Sequence, residues 1–308
     1  MIGAEYLALV SCIGFLAFLF PGPHRKYAAI GGWFFIVLTL FSLLPEYFRE
    51  NNFLYPAIAA LSVPFFVITS RDLLSGNECA INLSRAAAVA FLVYAPFGFD
   101  QIPLFAGIGN WLISLVVSHL LWILEILHFT AGLTCMDPVS AQPVTSGTCE
   151  NLLENVFFRN GYSVEIILGC TGIQSIAIML GVAAAVPTSI WQKVSAFLII
   201  APTIYFLNLL RNVFVIIAYT DQWFPCWADI AGNGSPGYES FFWAHNVIAE
   251  LMALVCLVAI AFGLFSIIPE LGTFADDLYC RYRNEIKKAF WGFKKKSRWY
   301  LKKGKLPV

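Results

Sequence analysis

Three side chains that could form a nucleophilic site lie on consecutive apolar segments in the C-terminal half of the chain. Cys170 occurs in "VEIILGCTGIQSIAIMLG", Arg211 in "LNLLRNVFVIIAY" and His245 in "ESFFWAHNVIAE". The cysteine offers a soft nucleophile, the arginine a permanent cation, and the histidine a base that titrates near neutrality. If they meet, they are the parts of a cysteine acyl-transfer centre, in which a thiolate attacks a carbonyl carbon.

Two amide side chains accompany this set. Gln174 follows Cys170 by four residues, and Asn208 precedes Arg211 by three residues. Residues three or four apart share one face of a helix, so each amide can lie beside its neighbour in the set. We expect Asn208 and Gln174 to bind substrate or to donate hydrogen bonds to a developing oxyanion.

Each side chain also has an ordinary explanation when it is taken alone. A cysteine in a membrane helix is usually a small apolar filler, and an interfacial histidine is more often hydrogen-bonded than catalytic. Arg211 could be a structural partner for Glu165 or Glu250, or it could anchor a lipid headgroup. The combination of all three at similar depth favours a site.

Composition places these residues in a membrane protein. The chain is 59% hydrophobic and only 12% charged, and its apolar blocks have about the 17 to 25 residues that a hydrocarbon core requires. We therefore predict an all-α fold, a polytopic transmembrane helical bundle. The predicted spans are approximately residues 3–20, 28–45, 53–69, 80–98, 164–186, 194–219 and 241–268.

These boundaries predict the depth of the three side chains. Cys170 lies about 7 residues and His245 about 5 residues after the start of their spans, and Arg211 lies about 9 residues before the end of its span. Successive spans alternate in direction, so all three fall roughly 6 to 14 Å below the same membrane boundary at 1.5 Å per residue. One cavity could therefore hold them.

Residues 102–129 do not fit a simple span. Asn110, Ser114 and Ser118 recur every four residues and give the segment a polar face. It could lie as an amphipathic helix on the outer surface, or it could cross the membrane. The distribution of basic residues favours about seven spans plus this surface helix, and eight spans is the alternative.

The formal net charge of zero hides an asymmetry. Eleven of the 19 lysines and arginines lie between Arg281 and Lys305, where Glu285 is the one acidic residue. A basic run beside a membrane span is typical of the cytoplasmic side, and its partner is anionic lipid, not nucleic acid. We predict an integral membrane catalytic domain at residues 1–270 and a basic, amphipathic cytoplasmic tail at residues 271–308.

With the tail inside, residues 130–163 and 220–240 face the extracellular side. Cys135 and Cys149 enclose a short stretch of the first loop. An oxidising exterior allows a disulfide between them, and two free thiols is the alternative. The sequence has no His-Glu-x-x-His pair, no Gly-x-Ser-x-Gly elbow and no phosphate loop, so we predict neither a metal nor a cofactor.

The motifs around the three side chains resemble a known family, the exosortases and archaeosortases, which are membrane cysteine transpeptidases. The matching pieces are "CTGIQS" at 170–175, "NLLRN" at 208–212 and "HNVIA" at 245–249, in that order. "LSRAAAVAFLVYAPFGF" at 83–99 and "SFFWAHNVI" at 240–248 are closer to the archaeal branch. The resemblance covers roughly residues 80–270.

The resemblance implies a protein-sorting activity. Such enzymes are thought to cut secreted proteins at a C-terminal signal, made of a short motif such as Pro-Gly-Phe, a transmembrane helix and a basic tail. In the archaeal case they pass the new C-terminus to a membrane lipid. Cys170 would be the nucleophile, Arg211 the stabiliser of negative charge, and His245 the general acid and base. Some archaeosortases use an arginine in the third role, and the helix after His245 offers none.

Other functions remain open from the residues alone. A transporter or channel would use Arg211, His245 and Glu250 in a substrate or proton path, but it would leave Cys170 without a task. An intramembrane hydrolase would use the same centre without a lipid acceptor. A structural assembly protein would need Arg211 only for stability.

Overall fold

The fold was examined in a computed structural model that describes residues 2–49, 54–137, 142–144, 149 and 152–302. Helices account for most of these residues. They are α1 (Ile2–Leu19), α2 (Arg25–Ser42), α3 (Leu44–Arg49), α4 (Leu54–Leu74), α5 (Glu78–Gly98), α6 (Ile108–Ile126), α7 (Ile173–Ala185), α8 (Ile190–Thr220), α9 (Ala228–Ala231), α10 (Tyr238–Phe241), α11 (Glu250–Ile267) and α12 (Glu270–Lys302). A 3₁₀ turn, Leu168–Thr171, precedes α7, and a π-helix, Phe242–Ala249, joins α10 to α11.

Length and apolar composition identify six helices of the described chain that could cross a membrane, and two shorter apolar helices accompany them. The six are 25–49, 54–74, 78–98, 108–126, 190–220 and 238–267, and the shorter two are 3–19 and 173–185. The predicted fold class, a polytopic helical membrane bundle, is confirmed. The last of the six runs without a break through α10, the π-helix and α11.

The predicted span at 164–186 is wrong over its first nine residues. Those residues contain the end of a strand and the 3₁₀ turn, and α7 begins only at Ile173. The apolar run misled the prediction because Val164 and Ile166 are buried in the core beneath a sheet instead of lying in a membrane helix. At 13 residues, α7 is about 20 Å long, which is shorter than a hydrocarbon core of roughly 30 Å.

Helix α6 has the features that made its segment ambiguous. It is long and apolar enough to span a membrane, which the eight-span alternative requires. One face packs against α8, with Val116, Leu120 and Leu124 buried, while the polar face that includes Ser114 and Ser118 is exposed. His119 links the two helices through a 2.7 Å hydrogen bond between its Nδ1 and the Tyr205 hydroxyl.

A small antiparallel sheet between α6 and α7 was not predicted from the sequence. Its strands are β1 (Gly132–Cys135), β2 (Glu154–Arg159) and β3 (Tyr162–Glu165), in the order β1-β2-β3. Asn160 and Gly161 both have positive φ and form the two-residue turn between β2 and β3, as hairpin geometry favours. In the structure Cys135 and Cys149 form a disulfide that closes the loop after β1.

The start of the basic tail packs on the other end of the bundle. Leu271 and Phe274 of α12 are buried in the same core cluster as residues of α7, α8 and α11. Arg281 donates two hydrogen bonds to the buried carboxylate of Asp72 on α4. Tyr282 shares a 2.5 Å hydrogen bond with Thr69, and burial raises the pKa of Tyr282 to about 12, so its hydroxyl stays protonated.

The domain boundary predicted at residue 270 stays a prediction. Helix α12 begins at Glu270, and residues 303–308 of the predicted tail lie outside the described residues. The contacts of Asp72 with Arg281 define what we call the tail end of the bundle. The end that holds Cys170, Arg211 and His245 is called the site end.

Candidate active site

Cys170 is presented by the 3₁₀ turn Leu168–Thr171. The turn ends because Gly172 has a φ of 80°, a left-handed conformation that favours glycine, and α7 starts at the next residue. An added Cβ at Gly172 would come within 3.2 Å of Asn208 on α8, so the backbone here also passes close to a neighbouring helix. The cysteine thus lies just outside the N-terminus of α7, where unpaired N–H groups make the potential positive.

Two amide side chains of α8 hold the cysteine backbone. Asn208 and Asn212 both donate hydrogen bonds from Nδ2 to the carbonyl oxygen of Cys170, at 2.6 and 2.7 Å. Asn212 is buried, and the two asparagines stand one turn apart on the same face of α8. Because a carbonyl oxygen has two lone pairs, this double contact satisfies it fully and fixes the turn against α8.

Arg211 and His245 are in direct contact. The guanidinium Nη2 of Arg211 lies 3.2 Å from Nε2 of His245, and Nδ1 of His245 lies 2.8 Å from Oδ1 of Asn246. A guanidinium is always a donor and an amide oxygen is always an acceptor, so His245 is neutral with its proton on Nδ1. The ring of Phe241 stacks on the imidazole at a centroid distance of 4.8 Å.

The π-helix places His245 in this position. All eight of its residues, Phe242–Ala249, follow the wider turn, which is rare in helices and frequent at functional sites. The imidazole is therefore turned toward α8 from a helix that otherwise continues straight to Ile267. Sequence patterns carry no clear signal for this local widening.

The charge of Arg211 is not cancelled by a salt bridge. Five ion pairs join side chains of the described chain, and none of them includes Arg211. Burial raises the pKa of the Cys170 thiol, the positive charge of Arg211 partly offsets this rise, and the carboxylate of Glu165 adds to it. Arg211 lies nine residues before the end of α8 at Thr220, about 13 Å below it at 1.5 Å per residue.

The structure brings some of the predicted site residues into contact and leaves others apart. It brings Arg211 to His245, and Asn208 to Cys170, but Asn208 bonds to the cysteine backbone instead of facing an oxyanion. Gln174 is exposed, and its side chain makes no hydrogen bond to the described residues. Glu250 begins α11, one turn beyond His245.

Two contacts were missed by sequence reasoning. Asn212 belongs to the "NLLRN" motif and lies four residues after Asn208, a spacing that indicates a shared face. Asn246 directly follows His245, and nothing in the sequence indicates that it fixes the imidazole proton. Among the described side chains, no three from histidine, cysteine, aspartate and glutamate are placed to hold a metal ion.

A cavity of about 320 Å³ lies beside the cysteine turn. Its polar lining is Asn110, Asn155 and Glu165, and its apolar lining includes Leu168, two residues before Cys170. Asn155 is buried and donates to both the Ile166 carbonyl and the Glu165 carboxylate, at 2.9 and 3.3 Å. The other lining residues are Ile113, Met136, Leu153 and Ile167.

Comparison with known protein families identifies the family of the chain. Residues 6–235 match the family model of the transmembrane exosortases (Exosortase_EpsH), a range that includes Cys170 and Arg211. The chain belongs to the exosortase family. The resemblance expected from the three ordered motifs is therefore confirmed at the level of the family.

Two relatives extend the comparison of this exosortase to the archaeal branch. The chain is 27% identical over 261 residues to archaeosortase A of Haloferax volcanii, which covers 80% of this chain and 82% of that protein. It is also 27% identical over 255 residues to archaeosortase A of Natronomonas pharaonis, which covers 80% of this chain and 78% of that protein. No solved structure matches the chain.

Proposed function

We propose that this exosortase family member is a membrane cysteine transpeptidase. Its substrates would be secreted proteins with a C-terminal sorting signal, made of a short motif of the Pro-Gly-Phe type, a transmembrane helix and a basic tail. It would cut near the motif on the extracellular side and transfer the new C-terminus to a membrane lipid. The two similar archaeosortases support this branch of the family over others.

The contact between Arg211 and neutral His245 carries the proposal. A partly buried arginine that serves only stability is normally paired with a carboxylate, whereas Arg211 bonds to an uncharged imidazole. Its charge is therefore available for an anion that forms during reaction. The thiolate of Cys170 would be such an anion, because the charge of Arg211 lowers the pKa of this thiol against the larger effect of burial, which raises it.

The proposed chemistry begins with transfer of the thiol proton from Cys170 to Nε2 of His245. Arg211 must first release Nε2, and its freed N–H groups then turn toward the thiolate and the developing oxyanion. The thiolate attacks the peptide carbonyl, a thioester forms, and the C–N bond breaks. His245 donates the proton on Nε2 to the leaving amine, while its Nδ1–H keeps its hydrogen bond to Oδ1 of Asn246.

The second half transfers the acyl group. A hydroxyl or amine of the acceptor attacks the thioester, gives its proton to His245 and releases the Cys170 thiolate. The site lies well below the end of α8, so it limits access of water and favours the acceptor over hydrolysis. An intramembrane hydrolase would end instead in a free carboxylate.

Intact mass of a reporter protein tests the proposal. The reporter ends in Pro-Gly-Phe, a membrane helix and basic residues, and it is co-expressed with wild-type protein or with Cys170→Ser. We expect wild type to remove the tail and add the mass of a lipid, and Cys170→Ser to leave the reporter whole. A reporter that stays whole with both proteins, in cells that secrete it, contradicts the proposal.

A further inference from the structure

The two edges of the small sheet differ. Outside β1, residues 142–144 cover the edge through the bridge Met136↔Pro143 and a 3.0 Å hydrogen bond from the Val144 N–H to the Cys135 carbonyl. Among the described residues, β3 pairs only with β2 and is the last strand in the sheet order. An uncovered edge strand offers a row of free backbone donors and acceptors.

The hydrogen-bonding pattern identifies the free groups on β3. The Ile166 N–H donates to the Asn155 carbonyl at 2.8 Å, so bonded pairs alternate from there along the ladder. The backbone groups of Ser163 and Glu165 therefore point away from β2. Within the described part of the chain, no other group bonds to them. Glu165 is exposed and Ser163 is half-buried, so both can be reached.

The direction of β3 leads to the nucleophile. Glu165 ends the strand, Ile167 follows with 53% of its surface exposed, and Cys170 lies five residues after Glu165. The cavity beside the cysteine turn is lined by Glu165, Ile167 and Leu168 along this same path. A peptide that pairs with β3 and runs in the same direction thus follows the residues that line the cavity before it reaches the thiol.

We propose that the open edge of β3 binds the extended segment of the substrate just before its scissile bond, as a fourth strand parallel to β3. This inference rests on the proposed function, because the direction follows from a substrate whose C-terminal membrane helix lies beyond the bond. The chain enters along Ser163 and Glu165 and continues past Cys170 toward the membrane. Backbone pairing holds the segment, and an apolar side chain enters the cavity.

This mode of binding separates affinity from selection. The outward N–H and C=O groups of Ser163 and Glu165 recognise any extended backbone, so they tolerate many sequences. The cavity selects the side chain that faces it, through apolar contacts with Ile113 and Leu168. Proline in the substrate is accepted only at positions whose N–H points away from β3.

Disulfide crosslinking tests the inference without requiring catalysis. The full-length protein carries Cys170→Ser, Cys226→Ser and Cys280→Ser, together with Glu165→Cys. Reporter peptides place one cysteine at each successive position before the scissile bond. We expect crosslinking to rise and fall with a period of two residues, because alternate side chains share a face of a strand. Phe158→Cys, exposed on the neighbouring strand, is the matched control and should crosslink weakly at every position.

A second arm removes one backbone donor. Glu165→Pro deletes the outward N–H but leaves the ladder to β2 intact, whereas Glu165→Ala keeps that N–H and removes only the carboxylate. We expect Glu165→Pro to raise KM roughly threefold to tenfold, the effect of one lost hydrogen bond, with kcat nearly unchanged. Both variants lack the carboxylate that acts on the thiol, so alkylation of Cys170 at the same rate in the two shows that the site of Glu165→Pro is folded like that of Glu165→Ala.

The outcomes separate the two proposals. Periodic crosslinking to the Cys170→Ser protein, together with wild-type protein that does not cut the reporter, would retain the β3 inference and overturn the transpeptidase function. Cleavage of the reporter with flat crosslinking, or equal KM values for Glu165→Pro and Glu165→Ala, would overturn the inference alone. Flat crosslinking without cleavage would overturn both.

Discussion

The partly buried arginines at the two ends of the bundle have opposite kinds of partner. At the tail end, Arg281 is joined to the carboxylate of Asp72, so its charge is already neutralised by a fixed partner. At the site end, Arg211 contacts the neutral imidazole of His245 and belongs to none of the ion pairs within the described chain. The first arrangement holds helices together, whereas the second keeps a positive charge ready for an anion.

The same contrast appears in how each end is held. The tail end uses charge-assisted bonds, while the site end uses the neutral amides of Asn208 and Asn212 on the Cys170 carbonyl. Neutral amides fix the turn without adding a further full charge to those of Arg211 and Glu165 near the thiol. A carboxylate in their place would compete with the thiolate for Arg211.

The largest expected effect is at Arg211. Arg211→Gln removes the cation and should lower the rate of reporter cleavage roughly 100- to 1,000-fold, as loss of one oxyanion donor does. Arg71→Gln is the matched control, because its ion pair with Glu285 at the tail end is exposed on the arginine side. Cleavage rates of both variants at equal protein levels decide the comparison. Near-normal cleavage by Arg211→Gln would show that Arg211 has only a structural role.

The next effect is on stability at the tail end. Asp72→Asn leaves Arg281 without its carboxylate and should lower the free energy of unfolding by about 2 kcal/mol, the value of a hydrogen bond to a charged group. Thermal unfolding in detergent measures this loss, and cleavage per folded molecule should stay within about twofold of wild type. A variant that keeps its stability and loses cleavage would show that the tail end takes part in the reaction.

A smaller effect is expected at Gly172 than at Asp72, and Gly169, three residues earlier, provides the comparison. Gly172→Ala forces a left-handed residue to carry a Cβ near Asn208 and should cost about 1 to 2 kcal/mol, with a slower alkylation of Cys170 because the turn shifts. Gly169→Ala is the control, since its nearest neighbours lie at 3.9 Å or beyond. Equal alkylation rates for the two variants would mean that the turn does not position the thiol.

The smallest effect concerns the amides of α8. Asn212→Ala removes one of two bonds to the Cys170 carbonyl and should cost about 1 kcal/mol, with Asn208→Ala similar. Because both act on one oxygen, we expect the double variant to lose more than the sum of the single losses. The measurement is the free energy of unfolding of wild type, the two single variants and the double variant, which together form a double-mutant cycle. Strict additivity would argue that the asparagines act independently of the carbonyl.

Much of the site could be predicted because helices preserve spacing. Arg211 was expected nine residues below the end of its span, and α8 ends at Thr220, nine residues later. His245 was expected near the start of the last span, which does contain it. Depth along a regular helix can be counted from sequence, so the level of these two side chains followed from their positions alone.

The remainder depended on irregular backbone that apolar patterns do not encode. Val164 and Ile166 form part of a continuous apolar run, so the strand and the 3₁₀ turn were assigned to a membrane span. The contact of Asn208 with the Cys170 backbone follows from that turn and could not be foreseen without it. The π-helix at His245 depends on packing between helices in the same way.

The central claim is that Arg211 stabilises negative charge formed at Cys170, and the pH dependence of Cys170 alkylation tests it most directly. Two proteins are compared, one with Arg211 and one with Arg211→Gln, and both carry Cys226→Ser and Cys280→Ser. We predict that alkylation of wild type reaches half its maximal rate at a pH at least about one unit lower than in Arg211→Gln, since a cation beside a thiol favours the thiolate. If the two pH profiles of alkylation coincide, the account is contradicted, because Arg211 then has no effect on the ionisation of the Cys170 thiol.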